Sequence, residues 1–264
     1  MLKLEHIFKI FNAGTVNEKK VLIDLSLTVN NGDFVTVIGS NGAGKSTLQN
    51  VISGTIFADS GHVILDNADI TYKPEIERAK YIGRVFQDPM MGTAPDMWIE
   101  ENLALAYRRT TRRGLRWGIR DSERKLYREA LAELNLGLEN RMHTKVGLLS
   151  GGQRQAVTLL MATLRKPKVL LLDEHTAALD PKTAANVLSL SNKIVHENKL
   201  TTLMVTHNMQ NAIEYGNRLI MMHNGGVILD VGGEEKKKLT VEALLKKFEQ
   251  VSGTEFANDS ALLG

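Results

Sequence analysis

The sequence feature that most constrains the fold of this chain is a glycine-rich run that ends in lysine, serine and threonine. It satisfies the pattern G-x-x-x-x-G-K-[ST] in full and reads Gly39-Ser40-Asn41-Gly42-Ala43-Gly44-Lys45-Ser46-Thr47. The apolar run 34–38 before it predicts a buried strand, and residues 48–53 after it predict the first turns of a helix. Glycines in such a turn let backbone N–H groups face an anion, so the run predicts a phosphate-binding loop. On that interpretation Lys45 reaches the β- and γ-phosphates of a nucleotide, and Ser46 coordinates Mg²⁺.

Length, charge and composition narrow the class of protein. With 264 residues and 43% apolar content, the chain can form one large domain or two small ones around an ordinary core. The net charge of +3 argues against nucleic acid as a partner. Six arginines nevertheless share one short region: Arg108, Arg109, Arg112, Arg113, Arg116 and Arg120. They and the lysines at 236–238 are interpreted as solvated basic faces, or as contacts with a partner or anionic lipid.

The sequence contains no cysteine, which excludes disulfides and thiolate metal sites. No run approaches the roughly 20 apolar residues that cross a bilayer, and the N-terminus lacks the apolar core of a signal peptide. We therefore expect a cytoplasmic chain whose membrane role, if any, comes through another subunit.

Strand and helix signals alternate along most of the chain. Alternating apolar positions predict antiparallel strands within residues 1–33, and a turn-rich segment predicts a hairpin within residues 61–72. From residue 90 to about 145 the apolar spacing is helical, with Ser122 as a candidate N-cap, which predicts a helical insertion. Alternation then resumes, and the predicted strands and helices cover residues 168–172, 181–197, 201–206, 209–215, 218–223, 227–231 and a short helix from residue 241.

A second polar motif follows the apolar run 169–172, which ends in Asp173 and Glu174. In a parallel sheet ligands bind at the carboxyl ends of the strands, so Asp173 is expected beside the phosphate loop, where it can hold Mg²⁺. Glu174 is placed to orient or deprotonate the water that attacks the γ-phosphate. An apolar strand that ends in Asp-Glu is common by chance, but the upstream phosphate loop makes the interpretation specific.

Further polar groups lie at the ends of predicted elements. The run Ser150-Gly151-Gly152-Gln153 opens a predicted helix and forms a second anion-binding N-terminus without a lysine. The alternative is structural, with Ser150 as an N-cap and the glycines as a tight turn. Gln87 follows the predicted strand 82–86 and His207 closes another, so both can lie near a γ-phosphate.

In order and approximate spacing these motifs resemble those of the ATP-binding-cassette (ABC) ATPases over roughly residues 1–235. The shared segments are the phosphate loop, Gln87, the signature at 149–155, Asp173-Glu174, Ala178-Leu179-Asp180 and His207. The resemblance implies an α/β fold: a P-loop NTPase core with an N-terminal antiparallel β-subdomain and an inserted α-helical subdomain. We expect core and β-subdomain at 1–89 and 146–235, the helical subdomain at 90–145, and a C-terminal helix and tail at 236–264.

The resemblance also implies the chemistry, which is hydrolysis of ATP with Mg²⁺. Two copies are expected to form an ATP-dependent head-to-tail homodimer, in which Ser150, Gly151, Gly152 and Gln153 of one copy complete the phosphate loop of the other. The resemblance implies that Lys45, Ser46 and Thr47 bind phosphates and Mg²⁺. Gln87 is expected to sense Mg²⁺ and the γ-phosphate, Asp173 to support the metal, and Glu174 to act as general base. His207 is expected to contact the γ-phosphate, and Asp180 to link the two sites. Phe11 is expected to stack on adenine, and Phe8 is the alternative residue for this contact. A structural alternative is that Phe11 only packs beneath the β-subdomain.

The chain departs from the commonest pattern of the resembled family at two positions. His175 stands where proline is usual, and Ala178 stands where serine is usual. Neither change removes a catalytic group. The residues 153–163 and 173–178 resemble a group of bacterial importer ATPases that work with separate permeases and lipoprotein substrate-binding subunits, some implicated in aromatic amino-acid uptake.

The expected function is an ATPase subunit that drives transport at the cytoplasmic face of the cell membrane. Import is favoured because Thr144-Lys145-Val146-Gly147 lacks the second glycine of many exporters. The expected cargo is amino acids or similar small solutes. The implied partners are integral-membrane permease subunits, received by residues 87–108, and an extracytoplasmic substrate-binding protein. An exporter ATPase or an ATPase of a soluble complex remains the alternative.

Overall fold

The computed structural model describes residues 1–109 and 118–252 and divides the chain into two compact units. The first unit comprises Met1–Arg78 and the chain from Leu200 onward, and the second comprises Ala79–Lys199. Arg112, Arg113 and Arg116 of the basic cluster and the predicted tail after residue 252 lie outside the described residues. The strands are β1 (Leu2–Phe11), β2 (Lys19–Val29), β3 (Phe34–Gly39), β4 (Ser60–Leu65), β5 (Ala68–Asp69), β6 (Ile82–Val85), β7 (Val169–Asp173), β8 (Thr201–Val205), β9 (Arg218–His223) and β10 (Gly226–Gly232).

The helices other than α2 and α8, which the sequence analysis did not predict, fall within or close to the predicted helical segments. They are α1 (Lys45–Ser53), α2 (Glu75–Arg78), α3 (Ile99–Tyr107), α4 (Asp121–Ala132), α5 (Gly151–Thr163), α6 (Pro181–Asn198), α7 (Met209–Glu214), α8 (Gly233–Lys237) and α9 (Val241–Ser252). Across residues 1–109 and 118–252, no helix combines the length and the apolar character needed to cross a bilayer.

The first unit contains an antiparallel sheet of four strands in the order β2-β1-β4-β5. β1 pairs with β2 from Leu2 opposite Val29 to Phe11 opposite Lys19. Side chains alternate between the two faces of a strand, and Leu2 and Leu4 of β1 are both buried. β4 pairs with β5 in antiparallel fashion. The antiparallel strands predicted within residues 1–33 and the hairpin predicted within residues 61–72 are thus confirmed.

Four other strands of the first unit lie in the order β10-β9-β3-β8. All six residues of β3 are buried, and β3 is parallel to both β8 and β9. A continuous apolar run is typical of a parallel strand that is covered on both faces. β9 and β10 form the predicted hairpin. Helix α9 is amphipathic as predicted, since Leu244 and Phe248 join the buried cluster around Ile38 and Met209.

The second unit pairs β6 with β7 in parallel and packs helices around its own core. Tyr127 and Leu131 of α4 are fully buried in that core. The helical character of residues 90–145 is confirmed for the described part, but the N-cap prediction is wrong. Helix α4 begins at Asp121, Ser122 is exposed, and Glu123 Oε2 accepts the Arg120 N–H at 2.8 Å. A glutamate three residues after the cap position can supply this reciprocal bond without a capping serine.

Two of the described arginines of the basic cluster and one lysine form internal bonds rather than a simple solvated face. Arg108 pairs with Glu123 at 2.7 Å, and Arg109 donates to the Ala162 carbonyl at 3.3 Å. Lys236 is buried and donates to the carbonyl oxygens of Tyr215 and Gly216, at the end of α7. Burial lowers the pKa of Lys236 to about 8.

Arg78 is the main buried polar anchor of the segment that follows β5. It is 1% exposed, and its guanidinium donates to the carbonyl oxygens of Lys73 at 2.7 Å, Val51 at 2.7 Å, Ile52 at 2.8 Å and Thr71 at 2.7 Å. Carbonyl groups in the last turn of a helix lack intrahelical donors, so Arg78 caps the end of α1. Burial lowers the pKa of Arg78 to about 10, which still leaves it charged at neutral pH.

We expect Arg78→Met to lower the free energy of unfolding by about 3 kcal/mol, because several buried carbonyl groups lose a charged donor while the apolar stem is kept. Urea denaturation followed by circular dichroism measures this change. Lys20→Ala, at an exposed position of β2, is the control and should change the stability by less than about 0.5 kcal/mol. Equal stabilities of the two variants would contradict the anchoring role.

Candidate functional site

The glycine-rich loop leaves the end of β3 and opens helix α1, as the sequence predicts. Gly39, Gly42 and Gly44 have φ values of 152°, 81° and 100°, which side-chain-bearing residues rarely adopt. A Cβ atom on Gly39 would lie 2.2 Å from the Met222 carbonyl oxygen, and one on Gly44 would lie 2.7 Å from that of Val21. The loop conformation therefore requires glycine at both positions.

Lys45 is the first residue of α1 and its side chain is held inside the loop. It is 5% exposed, and its ammonium donates to the carbonyl oxygens of Gly39 at 2.7 Å and Ser40 at 3.0 Å. Ser46 is exposed in the first turn of the same helix. Free N–H groups at a helix N-terminus, together with the positive end of the helix dipole and a lysine, form an anion site. This arrangement suits a polyphosphate.

The loop is fixed from the outside by the hairpin of β9 and β10. The Gly225 N–H donates to the Ala43 carbonyl at 3.2 Å, and the Gly225 carbonyl accepts the Ile23 N–H at 3.0 Å. The turn thereby joins the loop to β2. Its geometry is set by backbone bonds, which do not depend on side-chain rotamers.

His207 lies at the same edge of the first unit as the loop. β8 runs parallel to β3 with Val205 opposite Val37, and the Thr206 N–H extends this pairing to the Val37 carbonyl at 3.1 Å. His207 follows directly and is half-buried. The structure thus brings His207 and the glycine loop to one edge of parallel strands.

Phe11 is half-buried at the end of β1, and the Lys9 ammonium lies 5.6 Å from the centroid of its ring. Its partner across the ladder is Lys19, whose Nζ atom lies 3.8 Å from the position a Cβ of Gly42 would take. The register therefore sets Phe11 on the strand pair whose end reaches the loop. Phe8 lies further along β1, opposite Ser60. This register favours Phe11 over Phe8 as the residue near a bound base.

In the second unit, Gln87, Asp173 and Glu174 lie at one edge of the parallel pair β6 and β7. Val85 is opposite Leu172, and each strand ends within two residues of the predicted polar groups. Gln87 is exposed, whereas Asp173 and Glu174 are half-buried. The Arg84 guanidinium lies 3.1 Å from the Asp173 carboxylate, an ion pair that the sequence alone does not indicate.

The segment that follows β7 has an unusual backbone. Glu174 has a φ of 43°, in the left-handed region, and its carbonyl accepts the Ala177 N–H at 2.9 Å. His175 is buried, and desolvation lowers its pKa to about 4. The ring is therefore neutral near pH 7.

The run Ser150–Gln153 forms the N-terminus of α5, and the interpretation of Ser150 as its N-cap is confirmed. The Ser150 hydroxyl accepts the Gln153 N–H at 3.3 Å, and the Gln153 side chain accepts the Ser150 N–H at 3.2 Å. A Cβ on Gly152 would lie 2.2 Å from Thr183 Cγ2, so any larger residue there would force the Thr183 side chain to move. Ser150 and Gly151 are exposed, which leaves this helix N-terminus accessible to another molecule.

Asp180 caps helix α6 and lies close in sequence to Thr183, which packs on Gly152. Its carboxylate accepts the Thr183 N–H at 3.1 Å, and hydrogen bonding with Thr183 lowers the pKa of Asp180. Asp180 is exposed, so its carboxylate remains accessible although it is already a cap. On the other side of α5, the Gln155 amide donates to the Phe86 carbonyl at 3.3 Å, which joins this helix to the strand end that precedes Gln87.

Within the described residues, no group of three or more His, Cys, Asp or Glu side chains could hold a metal ion. The predicted metal residues Ser46, Gln87 and Asp173 offer one hydroxyl, one amide and one carboxylate. Magnesium is commonly held by one or two carboxylates together with water and the phosphates of its substrate. Each of these side chains is an oxygen donor of the kind that Mg²⁺ accepts.

The chain as a whole resembles known proteins along most of its length. A family model described as ABC transporter matches residues 22–177. The chain is 48% identical over 249 residues to the tyrosine transport ATP-binding protein of Clostridioides difficile (strain R20291), and the match covers 94% of this chain and 99% of that protein. It is 32% identical to the spermidine/putrescine import ATP-binding protein PotA of Salmonella typhimurium (strain LT2), over 89% of this chain but 60% of that protein's length.

Solved structures of similar proteins include nucleotide-bound cassettes. The dimeric post-hydrolysis state of the ATP-binding cassette MJ0796, bound to ADP and Pi, is 31% identical with a TM-score of 0.75, covering 88% of this chain and 98% of that chain. CbiO1 from Clostridium perfringens, part of the ABC transporter complex cbiONQ, is 26% identical with a TM-score of 0.76, covering 95% and 94%.

Lys19 is a residue of the loop environment that the sequence motifs do not reveal, because only the strand register brings it beside Gly42. We expect Lys19→Ala to raise the dissociation constant of ADP about tenfold through the loss of a cation near the phosphates, while adenosine binding is unchanged. Isothermal titration calorimetry measures both ligands. Lys20→Ala is the matched control, since neighbouring strand residues point to opposite faces. Equal effects of the two substitutions on ADP binding would contradict the prediction.

Proposed function

This chain belongs to the ABC transporter family, and from that premise we propose that it drives the import of an aromatic amino acid, tyrosine foremost, through separate permease subunits. The chain is an ATPase. The observation that carries the substrate class is the 48% identity with a tyrosine transport ATP-binding protein over nearly the full length of both chains. The cargo itself is recognised by the membrane and binding subunits.

The proposed phosphate-binding groups lie in the first unit. The amides of residues 39–44 and the Lys45 ammonium bind the β- and γ-phosphates, and Thr47 adds a hydroxyl in the first turn of α1. His207, at the same strand edge, contacts the γ-phosphate. Phe11 stacks on the adenine. The rigid glycine backbone supports this assignment, because donors that are fixed before binding lose little freedom when the ligand arrives.

Mg²⁺ is assigned to Ser46, Gln87 and Asp173, whose oxygen atoms are the hard donors that this ion prefers. When bound there, the ion would supply positive charge against the phosphate oxygens of the nucleotide. The Arg84 guanidinium, 3.1 Å from the Asp173 carboxylate, is a partner that the structure gives this side chain.

Glu174 is assigned as the general base. Its carboxylate takes the proton of the water that attacks the γ-phosphorus, the bond to the leaving oxygen of ADP breaks, and phosphate departs. Gln87 senses Mg²⁺ and the γ-phosphate in the same region. Because the segment around Gln87 is exposed, it can transmit the presence of nucleotide to a partner subunit. Ser150, Gly151, Gly152 and Gln153 bind the nucleotide of a second copy in a head-to-tail homodimer. The exposure of Ser150 and Gly151 supports action in trans, and Asp180 links the two sites.

The permease is proposed to dock on the segment between Gln87 and α3. Met91 and Trp98 there are 70% and 43% exposed. Flexible thioethers and an amphipathic ring suit a protein partner. In this arrangement the chain lies at the cytoplasmic face of the membrane, held by the permease, and an extracytoplasmic protein delivers the solute. We also propose that the core and β-subdomain comprise residues 1–89 and 146–235. The helical subdomain then comprises residues 90–145, and the C-terminal helix and tail comprise residues 236–264.

We expect Lys45→Ala and Glu174→Gln each to abolish steady-state ATP hydrolysis by the purified chain. Lys45→Ala should also weaken ATP binding, whereas Glu174→Gln should retain ATP and accumulate as a dimer, because only the proton acceptor is lost. Phosphate release, a fluorescent ATP analogue and size-exclusion chromatography with light scattering provide the three readouts. Turnover that survives Glu174→Gln would refute its role as the base.

Uptake by the assembled transporter tests the proposed substrate. We expect cells that express the chain with its permease and binding subunits to take up labelled tyrosine, and excess phenylalanine or tryptophan to compete while spermidine does not. The same cells with Lys45→Ala are the control and should show no uptake. Competition by spermidine alone, or purification of the chain with soluble partners only, would contradict the proposal in favour of polyamine import or a non-transport complex. Labelled tyrosine lost from preloaded cells would indicate export.

A further inference from the structure

The residue directly after Glu174 is a buried histidine that the reaction described above does not use. His175 is 2% exposed, and its Nε2 atom lies 2.9 Å from Oγ of Ser191 in helix α6. Ser191 is 1% exposed, and its hydroxyl donates to the Val187 carbonyl at 2.8 Å. Because a hydroxyl has a single hydrogen to donate, Ser191 accepts from His175, and the Nε2 atom carries the ring proton. The direction of the bond therefore defines the tautomer of the buried ring, and the 2.9 Å contact holds the ring against α6.

The backbone of Glu174 is in a conformation that needs support from its surroundings. Its φ of 43° lies in the left-handed region, which is unfavourable for a residue with a side chain. Such conformations persist where neighbouring structure determines them and are found preferentially at functional sites. The carbonyl of Glu174 accepts the Ala177 N–H, and Asp180 then caps α6. Helix α6 therefore holds the end of this short connection at Asp180, and His175 holds the end at Glu174.

Ser191 is a rigid point of attachment for the connection. It lies eleven residues, or about three helical turns, beyond Asp180, so both residues lie on the same side of α6. Val187 and Val195 of the same helix are buried next to it. A proline at position 175 would fix its own φ through its ring and would need no polar partner. Histidine has a freer backbone, and here its side chain provides the restraint.

We propose that His175 is a positioning residue, which through its hydrogen bond to Ser191 holds the backbone of Glu174 and so aims the Glu174 carboxylate at the attacking water. The inference rests on the role of Glu174 as the general base. It predicts that loss of the bond slows hydrolysis and leaves nucleotide affinity unchanged, because phosphate binding is assigned to residues 39–47, which keep their sequence. A side chain that only filled the core would affect the amount of folded protein instead.

The experiment uses the full chain with Ser191→Ala, His175→Leu and the double variant. kcat, KM for ATP and the ATP dissociation constant are measured, with kcat expressed per chain that binds ATP, so that loss of folded protein does not enter. We expect each single variant to lower kcat at least tenfold with KM and the dissociation constant within about twofold. The double variant should be no slower than the slower single variant, since both remove one interaction.

Two further variants separate positioning from a general effect of mutation in α6. Ser191→Thr keeps the hydroxyl and should retain most of the kcat. Ser189→Ala, at an exposed position of the same helix, should match the unaltered chain. Ser191→Ala replaces one small side chain by another, so it carries the test even if His175→Leu does not fold.

An unchanged kcat in Ser191→Ala, or a dissociation constant that rises as much as kcat falls, would overturn the positioning role. Glu174→Gln is assayed alongside. If Glu174→Gln hydrolyses ATP at the unaltered rate, the proposed function of Glu174 fails. A fully active Ser191→Ala beside an inactive Glu174→Gln overturns the positioning role alone.

Discussion

The backbone conformation of the loop between β3 and α1 is the constraint on which the phosphate site depends. Gly39 and Gly44 approach the carbonyl oxygens of Met222 and Val21 so closely that no side chain fits, and Gly225 adds a backbone bond to Ala43. The loop is thus packed against β9, which pairs with its own strand β3, and against β2 of the antiparallel sheet. A loop held in this way keeps its N–H groups oriented before a nucleotide arrives, and such preorganisation is what stabilises a transferring phosphoryl group.

The second unit fixes its polar groups by a different device, in which side chains at the ends of elements hold neighbouring backbone. Ser150 and Gln153 form reciprocal hydrogen bonds that cap the start of α5, and Asp180 caps α6. His175, which precedes α6, forms a hydrogen bond with Ser191 of that helix. Ser150, Gln153 and Asp180 have assigned roles themselves, and His175 is adjacent to Glu174, the assigned base. Half of the proposed chemistry therefore depends on how precisely short connections are tied to rigid helices.

Most of the fold could be predicted because its signals are local. Alternation of apolar residues identified β1 and β2, and the continuous apolar runs identified β3, β7 and β8. A prediction from local sequence failed where a neighbouring residue could play the same part. Ser122 is a good capping residue, but the Glu123 carboxylate accepts the N–H at the start of α4 instead. Lys236 belongs to a run of charged residues that predicts a solvated face, yet the end of α7 accepts its ammonium in a buried position. Such outcomes depend on which neighbours the folded chain brings close.

The sequence by itself determined the class of fold and the chemistry of hydrolysis, because glycines, Lys45, Asp173 and Glu174 occur in an order and spacing that few other folds require. Only the tertiary structure decided that Lys19 lies beside Gly42, that Arg84 pairs with Asp173 from 89 positions away, and that His175 bonds to Ser191. These contacts follow from strand register and from the packing of one helix on a loop. A residue's own chemistry makes such a contact possible, but the fold selects the partner.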